Sequence, residues 1–189
     1  MSTIRQYKRE LLDAIGAISE EEVERVAQRI LDVTMSGGVI FIAGNGGSAA
    51  ISSHFACDLG KGCTIPGKKS INVHSLTDNT PWITAISNDF SYEEVFVKQL
   101  ENFLGPKDLV LVISSSGNSE NIVKALTYAR EVGAYSVALI GFDGGRSKAL
   151  ADDHIFIDSM VYGVVEDCHS ILEHMITTEI KLRLTALVS

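Results

Sequence analysis

Five short apolar runs, each set off by stretches with helical spacing, constrain this chain more than any other feature. They are Val39 to Ala43, Ile71 to Leu76, Leu109 to Ile113, Ser136 to Gly141 and Ile155 to Asp158. Continuous apolar runs of this length are the pattern of strands buried on both faces. Helical patterns separate them at Ala49 to Leu59, Thr80 to Leu104 with interruptions, Glu120 to Val132 and Arg146 to Ala151, and a final helix is predicted from about Val165 to Leu187. Strands that alternate with helices are joined by right-handed crossovers. The expected fold is therefore α/β, a three-layer α/β/α sandwich around an open parallel sheet of about five strands. Ahead of the first strand, residues 3 to 35 read as two helices. The second opens on the capping box Ser19-Glu20-Glu21-Glu22 and carries Val23, Val26, Ile30 and Val33 at helical spacing, until Ser36-Gly37-Gly38 stops it.

A chain of 189 residues without a linker-like composition shift reads as one domain spanning 1–189. No apolar run approaches the ~18 residues needed to cross a bilayer, so a membrane partner is not expected. The N-terminus has no apolar core of a signal peptide, which points to a cytoplasmic protein. A net charge of −8, with no cluster of Lys and Arg, argues against binding nucleic acid through its phosphates. Cys57, Cys63 and Cys168 form no paired framework and read as reduced thiols, Cys57 and Cys168 as core fillers on helices.

In an open parallel sheet, ligands bind beyond the carboxyl ends of the strands. Two of the loops there are built for an anion. Gly44-Asn45-Gly46-Gly47-Ser48 follows the first strand and Ser114-Ser115-Ser116-Gly117-Asn118-Ser119 follows the third, each running straight into a helix. Both place small residues and backbone N–H groups at a helix N-terminus, where the dipole favours negative charge, and the serine hydroxyls add donors. The plainer reading makes Ser48 and Ser119 ordinary helix caps. Neither loop carries a nucleotide-binding fingerprint, so a compact phosphate fits better than a dinucleotide.

His54 and Asp58 stand four residues apart on the helix after the first loop, within reach of one ion. The last helix, in "VVEDCHSILEHMI", offers Glu166, Asp167, His169, Glu173 and His174. Imidazoles with carboxylates suit Zn²⁺ or another divalent first-row metal. Taken singly, Glu173 reads as part of a solvated face, and His74 and His154, with no helical partner, read as structural.

Taken in order, "AGNGGSA", "HFACDL", "LTDNTPWITAISNDFSYEEVF", "ISSSGNS" and "EDCHSILEHMI" resemble the sugar isomerase (SIS) domain proteins, and within them the phosphoheptose isomerases. The resemblance covers nearly the whole chain. It implies a flavodoxin-like SIS fold, a homotetramer using residues 1–36 in its assembly, and active sites at subunit interfaces. It further implies a phosphorylated sugar substrate, most specifically sedoheptulose 7-phosphate. Ser114, Ser115, Ser116 and Ser119 would hold the phosphate, Asn45 and Ser48 with Gly46 and Gly47 would meet the sugar, and Asp89 would belong to the substrate wall. Zinc ligands fall at His54, Asp58, Glu166 and His174, and the acid–base pair at Asp58 and His174. Retention of these residues favours an enzyme over a non-catalytic tetrameric adaptor of the replication-initiator-binding type, and a sugar-phosphate sensor of the same fold, which binds without turnover, is the third reading. Asp58 stands where the family has Glu, and Glu166 where it has Gln. Glu166 and His174, eight residues apart, cannot both ligate one ion from a regular helix, since they differ by about 12 Å of rise. Either Glu166 precedes the helix, or two subunits share the ion, or Glu166 pairs locally with His169.

Overall fold

The computed structural model describes residues 2–67 and 69–186. Two helices lead, α1 (Thr3–Gly16) and α2 (Glu20–Ser36), followed by β1 (Ile40–Gly44), α3 (Gly47–Cys57), β2 (Val73–Ser75), α4 (Thr80–Asp89), α5 (Val97–Phe103) and β3 (Leu109–Ser114). The chain continues through α6 (Glu120–Val132), β4 (Tyr135–Ile140), α7 (Ser147–Leu150), β5 (Asp153–Phe156) and α8 (Tyr162–Ala186). The five strands form one parallel sheet in the order β2-β1-β3-β4-β5. That is the expected architecture. The differences are local: α8 begins three residues before Val165, and the expected end at Leu187 lies outside the described residues.

Capping and helical periodicity account for the N-terminal helices. Ser19 accepts a hydrogen bond from Glu22 N at 3.3 Å, the main-chain half of the capping box, and Gly37 ends α2 in the left-handed conformation at φ 86°. Alternation along the buried strands splits the core in two. Ile40, Ile42, Leu109, Leu111 and Ile113 face a layer with α2, α3 and α8, while Phe41, Ala43, Val110 and Val112 face α5 and α6. Each fully buried Ile, Leu, Val or Phe among them contributes roughly 1.5–3 kcal/mol of transfer free energy, which is why no element of the sandwich stands alone. Arg25 on α2 grips Asp153 on β5 through two bonds of 2.7 and 2.8 Å. Burial pushes the Asp153 carboxyl up, but Arg25 and the His154 N–H outweigh it and hold it below its usual range.

Strand order fixes where a ligand belongs. The chain reverses direction across the sheet between β1 and β3, so the loops after these two neighbouring strands diverge and leave a crevice between them. Both glycine- and serine-rich loops open onto it.

Candidate functional site

The two loops are tied to each other. Asn45 and Asn121 exchange paired amide hydrogen bonds of 2.9 Å in each direction, and Tyr92 Oη donates to Asn45 Oδ1 at 2.8 Å. The serine loop is in turn seated on the turn after β4. Gly117, at φ 61°, would place a Cβ 2.8 Å from the Gly144 carbonyl carbon. Ser147 donates its N–H at 3.0 Å and its hydroxyl at 2.8 Å to Gly117 O. Asn121, Tyr92 and Ser147 were not picked out by sequence, because each acts through another residue rather than through a motif.

Within the serine loop, Ser114 Oγ accepts from Gly117 N at 3.1 Å and Ser116 Oγ from Asn118 N at 3.2 Å. Ser115 Oγ is buried with no hydrogen-bond partner, a costly condition unless a ligand satisfies it. Ser119 takes the N-cap position of α6 without its side chain making the cap bond, and Ser48 lies inside α3, whose N-cap is Gly46. Ser48 is therefore not a cap, and Ser119 is one by position but not through its side chain. Their hydroxyls, with Ser115, remain available to an anion at two helix N-termini. Asp89 sits exposed at the end of α4, accepting from Asn88 Nδ2 at 2.9 Å, and makes no contact with either loop among the described bonds.

At the other end of α3, the helix widens after Cys57 into a π-helical turn over Asp58–Gly62. Such turns recur at functional sites because they re-aim a side chain. Here the Asp58 carboxylate comes 3.7 Å from His54 Nε2 and 3.9 Å from His174 Nε2. The His54 and His174 rings meet edge to face at 5.1 Å. The fourth member is Glu173, whose Oε2 stands 3.1 Å from His54 Nδ1. One donor atom from each of His54, Asp58, Glu173 and His174 lies within 4.8 Å of all the others. A cleft lined by Asp58, Gly62, Cys63, His174, Thr177 and Lys181 opens the cluster to solvent.

Glu173 is not on a solvated face: its side chain is 0% exposed, and neither carboxylate oxygen has a hydrogen bond of good geometry. Burial first, then the neighbouring Asp58, pushes its carboxyl up to about 8. Two imidazoles and two carboxylates with an orphaned buried carboxylate are a donor set that fits a divalent cation.

Glu166 lies elsewhere. It is inside α8, not before it, and its carboxylate packs on Gly47 so closely that a Cβ there would come 2.9 Å from Cδ. The local pairing with His169 does not form either. His169 is fully buried, neither ring nitrogen has a hydrogen bond of good geometry, and burial pulls its pKa down to about 4. Asp167 accepts from Tyr7 Oη at 2.7 Å and anchors α1 to α8. Cys168 is buried as expected, but Cys57 is exposed, because α3 turns that face away from the core.

Comparison with known proteins follows the same outline. The family model described as "SIS domain" matches residues 5–141. A protein named "Probable phosphoheptose isomerase" from Thermoplasma volcanium is 42% identical over 87% of this chain and 83% of its own. A phosphoheptose isomerase from Paramagnetospirillum magneticum is 35% identical over 91% of this chain and 89% of its own. The solved phosphoheptose isomerase of Neisseria gonorrhoeae superposes with a TM-score of 0.85 at 29% identity, covering 94% of each chain. With its glycine- and serine-rich loops at the β1/β3 crevice and its His–Asp cluster at the far end of α3, this chain belongs to the SIS-domain family and, within it, to the phosphoheptose isomerases.

Proposed function

We infer that the protein is a sugar-phosphate isomerase that interconverts sedoheptulose 7-phosphate and glycero-manno-heptose 7-phosphate. The observation that supports this reading is the convergence of the glycine- and serine-rich loops at the β1/β3 crevice, tied by Asn45 and Asn121, with a His54–Asp58–His174 cluster at the far end of the helix that the first loop opens. Ser114, Ser115, Ser116 and Ser119 hold the phosphate with the first-turn amides of α6, and Asn45, locked by Asn121 and Tyr92, presents its amide to the sugar with Ser48. Asp58 takes the proton from the carbon next to the carbonyl, an enediol forms, and His174 manages the proton at the oxygen and the neighbouring carbon. A divalent cation held with His54, Asp58 and His174, zinc by its donor set, would polarise the carbonyl and stabilise enediolate charge. The assembly that fits the reading is a homotetramer in the cytoplasm with sites at its interfaces. Ile4 and Leu12, 72% and 69% exposed on α1, support a partner surface there.

The test is turnover of sedoheptulose 7-phosphate in D₂O, followed by NMR. Deuterium appears at the carbon next to the carbonyl as the aldose forms. His174→Ala retains sugar-phosphate binding and loses turnover by roughly 10²–10⁴-fold, the usual worth of a positioned acid–base group. Absence of both isomerisation and exchange with any five- to eight-carbon ketose phosphate refutes the assignment.

A further inference from the structure

Three side chains from separate parts of the chain meet at the β1/β3 crevice: Asn45 from the loop after β1, Asn121 from the first turn of α6, and Tyr92 from a single 3-10 turn, Tyr92–Glu94, between α4 and α5. A carboxamide has two acceptor lone pairs and two N–H donors. Asn45 Oδ1 accepts from Asn121 Nδ2 at 2.9 Å and from Tyr92 Oη at 2.8 Å, which fills both lone pairs. Asn45 Nδ2 donates to Asn121 Oδ1 at 2.9 Å, which leaves one N–H. The two amides alone do not fix this sense, since turning both end for end restores both bonds between them. Only the third partner tells the two senses apart. A phenol hydroxyl is a better donor than acceptor, because its lone pair is delocalised into the ring, and an amide oxygen is the better acceptor of the two. Tyr92 therefore favours the sense in which Asn45 turns its oxygen toward the hydroxyl.

We propose that Tyr92 is a positioning residue that sets the sense of the Asn45 amide, so that Asn45 offers the sugar one N–H and no free acceptor. The crevice then selects an oxygen acceptor of the sugar at that point. This suits the donor-rich loops and the two helix N-termini around it, where an outward carbonyl oxygen would repel an anionic ligand. Asn121, 2% exposed, is the fixed half of the pair. Tyr92 is 54% exposed, yet its turn is docked: Lys124, one turn beyond Asn121 on the same face of α6, pairs with Glu94 and stands 3.6 Å from Glu93. One face of α6 thus holds both the partner of Asn45 and the anchor of Tyr92. Neither Asn121 nor Tyr92 has to touch the substrate to act in this way.

This inference rests on the isomerase reading for the identity of the sugar, and a double-mutant cycle read against inorganic phosphate tests it. Turnover of sedoheptulose 7-phosphate, and calorimetric affinities for that sugar phosphate and for inorganic phosphate, are measured on wild type, Tyr92→Phe, Asn45→Ala, Asn45→Asp and the Tyr92→Phe/Asn45→Ala double variant. Tyr92→Phe keeps the ring at an exposed position, so Tm stays within about 2 °C of wild type. Its KM rises about two- to fivefold, twofold if the two senses become equal and fivefold if a whole hydrogen bond is lost, while kcat and phosphate affinity hold within about twofold. In the Asn45→Ala background the same change has no further effect, because Tyr92 acts through Asn45. Asn45→Asp keeps an acceptor for Tyr92 but has no N–H. Its effect on inorganic phosphate measures the added charge, and with that divided out it binds the sugar phosphate as poorly as Asn45→Ala. The proposal is overturned by equal losses from Tyr92→Phe in both backgrounds, by a wild-type KM in Tyr92→Phe, or by a corrected Asn45→Asp affinity that matches wild type. If no ketose phosphate turns over but the binding cycle shows the coupling, the isomerase reading falls and the role of Tyr92 stands. If wild type isomerises the sugar and the cycle is additive, the role of Tyr92 falls and the isomerase reading stands.

Discussion

Replacing Gly117 by alanine tests whether the serine loop is held in shape by backbone packing and not by its side chains. At φ 61° an alanine pays the left-handed penalty of about 1–2 kcal/mol. Its Cβ would also stand 2.8 Å from the Gly144 carbonyl carbon, closer than a Cβ can approach, and a tight 3.3 Å from Gly145 N. The neighbour is main chain and cannot rotate away, so the turn after β4 must shift. Shifting it loosens the two hydrogen bonds that Ser147 makes to Gly117 O, each worth about 1 kcal/mol net. The sum is about 3–4 kcal/mol. For a domain of this size each kcal/mol moves Tm by about 2–4 °C, which gives a drop of about 6–16 °C at fixed protein concentration. The same displacement moves Ser114, Ser115 and Ser116 together, and inorganic phosphate should bind at least tenfold more weakly by calorimetry. A Gly117→Ala protein with Tm within 2 °C of wild type and the same phosphate affinity would refute the account of the loop.

Two further outcomes follow from burial. His169 stays neutral in the folded protein down to about 4, while in the unfolded chain it takes a proton near 6.5. Between these values only the unfolded state gains the proton, so stability falls as pH drops from 6.5 to 4, by up to about 3 kcal/mol. Urea midpoints across that window should fall more steeply for wild type than for His169→Leu, and parallel slopes would dismiss the effect. Among the thiols, Cys57 is exposed, while burial pushes Cys63 and Cys168 each up to about 11. At neutral pH a thiol reagent should therefore label Cys57 quickly and the other two only on unfolding; fast labelling of two or more sites contradicts the packing.

The sheet was legible because its signal is long and redundant: apolar runs at regular intervals cannot be buried in any other way, and the loops at their carboxyl ends follow from topology. Single side chains were less legible. Cys57 sits in an apolar-looking helix whose exposed face the composition does not mark. Glu173 was read as solvated from its charge, although its spacing argues otherwise: it lies four residues after His169 and seven before Ile180, both fully buried. Charge is a good predictor of exposure on average and a poor one where an ion or a ligand supplies the missing partner. Weighed by its spacing and not by its charge, Glu173 belongs on the buried face.

Glu166 shows the converse. A motif match places it with His174 as if both touched one atom, but a motif records sequence order and not rise along an axis. In three dimensions the parallel pairing of α3 with α8 turns that order into distance, setting Glu166 against Gly47 and Glu173 against His54. The two contacts thus lie about 10 Å apart along the paired helices, one acid of α8 against the glycine turn and the other against the histidine cluster. Position along α8, and not residue type, decides which of the two acids meets the histidines.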